Sequence, residues 1–143
     1  MGKLEIDNNK SNFLLDGRPF FYLADTIWSA FTNITLEEWE YYLRRRREQG
    51  FTVLQINTLP QWDRCMSDTG LYPFATEIGY KFDFTRWNDG YYENARKMCR
   101  MAVEQGFQLA LIVLWLNYVP GTWGSKMTDI NVMPEEFVEP YTA

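Results

Sequence analysis

Along the chain, charged stretches whose apolar residues recur three and four apart alternate with short, nearly continuous apolar runs. The joint between the two is marked twice by the same four residues, Glu-Gln-Gly-Phe, at positions 48 to 51 and 104 to 107. Glycine suits the residue just past a helix end because it takes positive φ without a Cβ clash, and the Phe that follows opens a strand heading back into the core. Behind the joints come Thr52-Val53-Leu54-Gln55-Ile56-Asn57 and Leu109-Ala110-Leu111-Ile112-Val113-Leu114-Trp115. Both are rich in strand-favouring residues and apolar almost throughout, as parallel strands covered on two faces must be. The pattern predicts successive β-α units, a class of fold whose sites sit where the strands end.

Upstream, Leu4 to Asp7 and Asn12 to Leu15 read as short strands, and Asp16-Gly17 as a tight turn before Arg18-Pro19 and the apolar run Phe20 to Ala24. Residues 1 to 19 are thus expected to form a β-hairpin cap, and residues 20 to 143 the body of the domain, with Phe20 to Ala24 as its first core strand. The spacing Thr35-x-x-Glu38 is a capping box, so a helix should begin there, bury Leu36, Trp39 and Leu43, and stop at Gly50. A second helix is expected over about Asn88 to Gln105, with Tyr91, Ala95, Met98, Cys99 and Ala102 on its apolar stripe and Trp87 packing helix against sheet. Between Thr58 and Trp87 no period stands out, yet the segment carries Trp62, Tyr72, Phe74, Tyr80, Phe82, Phe84 and Trp87. A loop so long and so aromatic is expected to be a wall of a binding site. A further loop, Asn117 to Met133, leads to Met133-Pro134-Glu135-Glu136-Phe137, which has the signals of a helix start. The order is hairpin, β, α, β, α, β and the beginning of a third α. Such a series either closes into a barrel or spreads as an open sheet, and a full (β/α)8 barrel needs about 250 residues.

Composition narrows the chemistry. The 143 residues carry a net charge of -5, which offers no broad positive surface to nucleic acid. The run Arg44 to Arg47 lies among Glu37, Glu38, Glu40 and Glu48 and is expected to be a solvated helix face. There is no histidine, which removes Ser-His-Asp and Cys-His pairs and all His-based metal sites. Cys65 and Cys99 match no Cys-x-x-Cys pattern, so neither metal nor cofactor is expected. No stretch reaches the roughly 18 apolar residues that span a membrane, and no membrane partner is expected. An export signal is not legible in the N-terminal residues. The chemistry open to the chain is that of carboxylates, aromatics and amides.

Three segments together resemble the apiosidase-like glycoside hydrolases, a family of plant-polysaccharide enzymes on a (β/α)8 barrel. Phe20-Phe21-Tyr22-Leu23-Ala24-Asp25-Thr26-Ile27-Trp28 is similar to the family's first-strand motif, Phe-Phe-Trp-Leu-Gly-Asp-Thr-Ala-Trp. Gly50 to Gln55 is similar to its second strand and Leu111 to Trp115 to its third, with Tyr22, Ala24 and Val113 standing where the family has Trp, Gly and Pro. The resemblance implies an α/β fold formed by the first three β/α units of a TIM barrel, and hydrolysis of a glycosidic bond in apiose-containing pectin side chains. It also implies catalytic acids on later strands, the first in a Gly-Gly-Asp that does not occur here. The chain is therefore expected to be an N-terminal portion that contributes part of a sugar-binding rim without the catalytic pair. By itself it is expected to be inactive, and the resemblance suggests an extracellular or periplasmic setting.

Glycoside hydrolysis needs two carboxyl groups about 5 to 9.5 Å apart across one bond. Asp25 is the acid placed at a core-strand end; it serves either substrate hydroxyls or the cap of the following turn. Trp28, Trp62, Trp115 and Trp123 fall at or beyond strand ends, where an indole can lie against the C-H face of a sugar or pack loops onto the sheet. Gln55 and Asn57 end an apolar strand with amides that both donate and accept, as sugar hydroxyls require, although a bond to a neighbouring strand is the competing use. The expected substrate-binding set is Asp25, Trp28, Gln55, Asn57, Trp62 and Trp115, and the expected partner an oligosaccharide. A non-catalytic carbohydrate-binding module and a homo-oligomeric half-barrel, or docking with the remainder of the barrel, are the other readings.

Overall fold

A computed structural model describes residues 2–61, 68–77, 81–128 and 131–143. Its first layer is a cap of three short antiparallel strands, β1 (Leu4–Ile6), β2 (Phe13–Leu15) and β3 (Arg18–Phe20). Here the expected boundaries move. Phe20 belongs to the cap, paired with Phe13, and the first core strand is β4 (Ala24–Ile27) rather than Phe20 to Ala24. The apolar run is not buried throughout, Phe21 being 76% exposed, and the break at Phe21 to Leu23 turns the chain from one sheet into the other.

The body is a three-stranded parallel sheet in the order β4-β5-β8, with β5 at Val53–Asn57 and β8 at Gln108–Ile112. After a short α1 (Ala30–Asn33), α2 (Leu36–Glu48) makes the first crossover and α3 (Asp89–Glu104) the second. The capping box is formed in full: Thr35 Oγ1 accepts from the Glu38 amide at 3.2 Å, and the Glu38 carboxylate accepts from the Thr35 amide at 2.8 Å. Both helices end in the same joint, Gly50 at φ +87° and Gly106 at φ +86°. Arg47 ties the two joints together, donating to the Phe51 carbonyl at 3.1 Å while its guanidinium lies over the Phe107 ring at 5.2 Å.

Register fixes what each side of the sheet carries, because partners in a parallel ladder point the same way and neighbours along a strand alternate. Asp25, Leu54 and Leu109 are partners, as are Ile27, Ile56 and Leu111. Leu54 and Ile56 join the core of Trp39, Leu43, Tyr91, Met98 and Ala102, so this row faces the helices. Trp39 packs helix against sheet as expected, its indole N-H donating to the Met98 carbonyl at 2.9 Å. The other row, Thr26, Gln55 and Ala110 with Asn57 and Ile112 beyond, faces away from the helices.

The long aromatic segment holds an antiparallel pair, β6 (Phe74–Thr76) and β7 (Phe82–Trp87), that no periodicity announced. Phe74, Phe82 and Phe84 are buried with Leu59, Tyr118 and Met133 in a second core, so these rings do not line an open wall. Trp87 differs from expectation in the other direction: it is 43% exposed, packed edge-on to Phe74 rather than between helix and sheet. Beyond a 3-10 turn at Leu116–Tyr118 come α4 (Trp123–Met127) and α5 (Glu135–Thr142), the latter seated on the second core through Phe137, Val138 and Tyr141.

Candidate functional site at the strand ends

The three core strands run parallel, so the turns that follow them emerge at one end of the sheet. Side-chain bonds stitch these turns together. Ser29, after β4, accepts at its Oγ from the Gln61 amide at 3.3 Å, and the Tyr118 hydroxyl, after β8, donates to the Pro60 carbonyl at 2.7 Å. Thr58, just past β5, donates to the Val113 carbonyl at 2.8 Å. The fourth link is aromatic: the rings of Trp28 and Trp115 lie 6.0 Å apart, tilted by 41°. Trp28 remains 40% exposed, so this pair is a wet-edged aromatic surface and not a sealed core contact.

Of the six residues expected from sequence, Trp28 and Trp115 follow the ends of β4 and β8, and Gln55 and Asn57 lie on β5. Trp28 and Trp115 are brought into contact. Gln55 and Asn57 point to the face of the sheet away from the helices, and Asn57 is only 4% exposed with its Oδ1 lacking a hydrogen-bond partner among the described residues. Trp62 lies outside the described residues. Trp123, the further indole considered, is 58% exposed on α4.

Asp25 is placed elsewhere. Alternation along β4 turns it to the helix side, opposite Thr26 and Gln55. There its Oδ2 accepts from the Tyr42 hydroxyl at 2.5 Å and pairs with the Arg46 guanidinium, while Oδ1 accepts from the Thr26 amide at 3.0 Å. The bond to Thr26 lies within β4 and caps no turn, and the carboxylate's other partners are on α2, which sequence spacing did not reveal. Arg46 lies over the Tyr42 and Phe51 rings at 5.0 and 5.3 Å, so it is a packed anchor and an exception to the solvated face expected of Arg44 to Arg47. Burial, and then the bond to Asp25, raises the Tyr42 hydroxyl well above its ordinary pKa, which keeps it a donor.

Sequence reasoning passed over two further amides at this end. Gln61 and Asn117 are fully buried; Gln61 Oε1 and both polar atoms of the Asn117 side chain lack partners among the described residues. Buried amides are normally paired, and these two lie beyond the strand ends, in the turns that follow β5 and β8. Their signal in the sequence was weak, since each sits in a turn where Asn and Gln are ordinary. Among the described residues no three His, Cys, Asp or Glu side chains are grouped to hold a metal ion, and no helix is long and apolar enough to cross a membrane.

This geometry, a stitched strand-end rim with paired indoles and amides, can be set beside known proteins. Among solved structures, a glycoside hydrolase is similar over 80% of this chain and 26% of its own, with 27% identity and a TM-score of 0.61. A glycoside hydrolase family 5 structure from Bacteroides vulgatus ATCC 8482 matches 80% of the chain and 25% of its own at 24% identity and TM-score 0.62, a likeness of fold. A putative glycoside hydrolase from the same organism does so over 78% and 24% at 21% identity and TM-score 0.61. The chain therefore spans about a quarter of the length of the solved structures it matches. Among curated proteins none matches. The model of the family described as apiosidase-like, catalytic domain, matches residues 8–143, nearly the whole chain, and the chain belongs to that family.

Proposed function

We propose that the chain forms part of the sugar-binding rim of a (β/α)8 glycoside hydrolase acting on pectic, apiose-containing oligosaccharides, without bringing the catalytic carboxylate pair. The observation that carries this reading is the contact of Trp28 and Trp115 across the ends of β4 and β8. Two tilted indoles offer the polarisable surface on which sugar C-H faces rest, and an indole N-H can meet a hydroxyl. Gln55 and Asn57, on the sheet face away from the helices, supply amides that donate and accept in the same locality. Asp25 is the one acid on the three core strands. In this proposal it is an anchor between β4 and α2, since Arg46, Tyr42 and the Thr26 amide occupy its oxygens.

The test is calorimetric titration with apiose-containing pectic oligosaccharides, beside an assay for their hydrolysis. Binding without turnover is expected, weakened about tenfold by Trp28→Ala through loss of one stacking surface, equivalent to about 1.4 kcal/mol. Turnover by the 143-residue chain that Asp25→Asn abolishes would overturn the assignment of Asp25, and absence of binding at millimolar ligand would overturn the rim.

A further inference from the structure

The outer face of α3 carries charges that its packing does not use. Tyr91, Met98 and Ala102 turn inward to the core, while Arg96, Lys97 and Arg100 stand exposed. None of the three makes an ion pair among the described residues, although Glu93 and Glu104 each lie one helical turn away. Between this face and the first turn of α2 runs a groove of about 530 Å³ lined by Leu36, Glu93, Asn94, Arg96, Lys97 and Arg100. Ligand sites span about 300–1,000 Å³, so the groove has room for one. In a chain of net charge -5, three unpaired cations on one stretch of helix make a local surface that attracts anions.

Two features say which anion fits. Arg96 and Arg100 are one helical turn apart, so their guanidinium forks stem from Cβ atoms about 5–6 Å apart, and each fork can hold a carboxylate through two N-H donors. A ligand that engages both must repeat its carboxylates on that scale. The second feature is the presence of acceptors beside the cations. Asn94 Nδ2 is turned toward Met98 Sδ at 3.5 Å, which leaves its Oδ1 to accept, and the Glu93 carboxylate accepts only. Glu93 repels a bare polyanion and suits an anion that also carries hydroxyl donors. A chain of uronic acid residues brings a carboxylate, hydroxyls and C-H edges on every ring, the last matched by Leu36.

We propose that this groove binds a polyuronate chain, the acidic backbone of pectic polysaccharides, at a site that shares no residue with the indole rim. The choice of a uronate rests on the pectic reading above; the groove and its charge do not.

The test is calorimetric titration of the 143-residue chain with an oligogalacturonide, its methyl ester and a polyphosphate of matched charge. The acid form is expected to bind about tenfold more tightly than the ester, the scale of three exposed charge contacts, and the difference should shrink as salt rises. In Arg96→Gln/Lys97→Gln/Arg100→Gln the acid form should lose that tenfold. Lys10→Gln/Arg18→Gln/Lys81→Gln removes the same charge elsewhere and should keep it. Glu93→Ala should narrow the preference for oligogalacturonide over polyphosphate. Equal affinity for acid and ester overturns the proposal, and this comparison decides even where a variant fails to fold. Unchanged affinity in the α3 variant overturns it as well, and polyphosphate binding more tightly than oligogalacturonide overturns the uronate assignment. Trp28→Ala should leave oligogalacturonide affinity unchanged, so that failure of the rim and failure of the groove are read separately.

Discussion

Asp25 shows at the residue scale how little one letter's neighbours in sequence reveal about its use. Its position at a strand end suggested the site, and the alternation of β4 sent its carboxylate to the helix layer instead. There it meets an arginine clamped between two rings, so the pair is half-buried and fixed in geometry. Asp25→Asn keeps the shape but removes the charge, and should cost about 1–2 kcal/mol in urea denaturation, the lower end reflecting residual exposure to water. The same substitution should leave oligosaccharide affinity unchanged, which separates anchoring from substrate contact. Trp28 and Trp115 show the opposite case. Their side chains are large and their positions follow strand ends, so proximity was legible, but the tilt and spacing of the rings came only from the turns that hold them.

At the scale of elements, the joints and caps were readable because they depend on few residues and local sterics. The repeated Glu-Gln-Gly-Phe does what its letters require: both glycines take positive φ where a side chain would be strained. A Cβ at Gly50 would meet nothing within 4 Å, so the cost of Gly50→Ala is conformational alone and should be about 1–2 kcal/mol by chemical denaturation. Thr35→Ala removes the hydroxyl arm of the capping box while leaving the backbone N-H to Glu38, and should cost about 1 kcal/mol in the same measurement, with the loss restored largely by Thr35→Ser. The β6-β7 pair was hidden for a physical reason. Its apolar residues are set by packing on Leu59, Tyr118 and Met133 from distant parts of the chain, and β6 is only three residues long.

At the scale of the whole molecule, the outer layer is fastened by tyrosines whose hydroxyls are withdrawn from water. Burial raises Tyr42, Tyr92 and Tyr141, the last to about 12 from an ordinary 10.0. In the unfolded chain these phenols ionise near pH 10 while the folded chain holds them neutral. Their contribution is thus fully present below pH 10 and is lost as pH rises from 10 through about 12. Thermal melts across that window should show a falling midpoint, and Tyr141→Phe should lessen the fall; a flat profile would contradict the burial. The alternation of the core strands with the two crossover helices, the positions of the glycine joints and the aromatic strand ends were determined by the sequence itself, because period, capping and φ preference act over a few residues. Which face each strand residue meets was decided only by tertiary structure. So were the partner that claims Asp25, the folding of the long aromatic segment into a second core, and the basic groove between α2 and α3. Each depends on contacts between residues tens of positions apart, whose geometry no local pattern encodes.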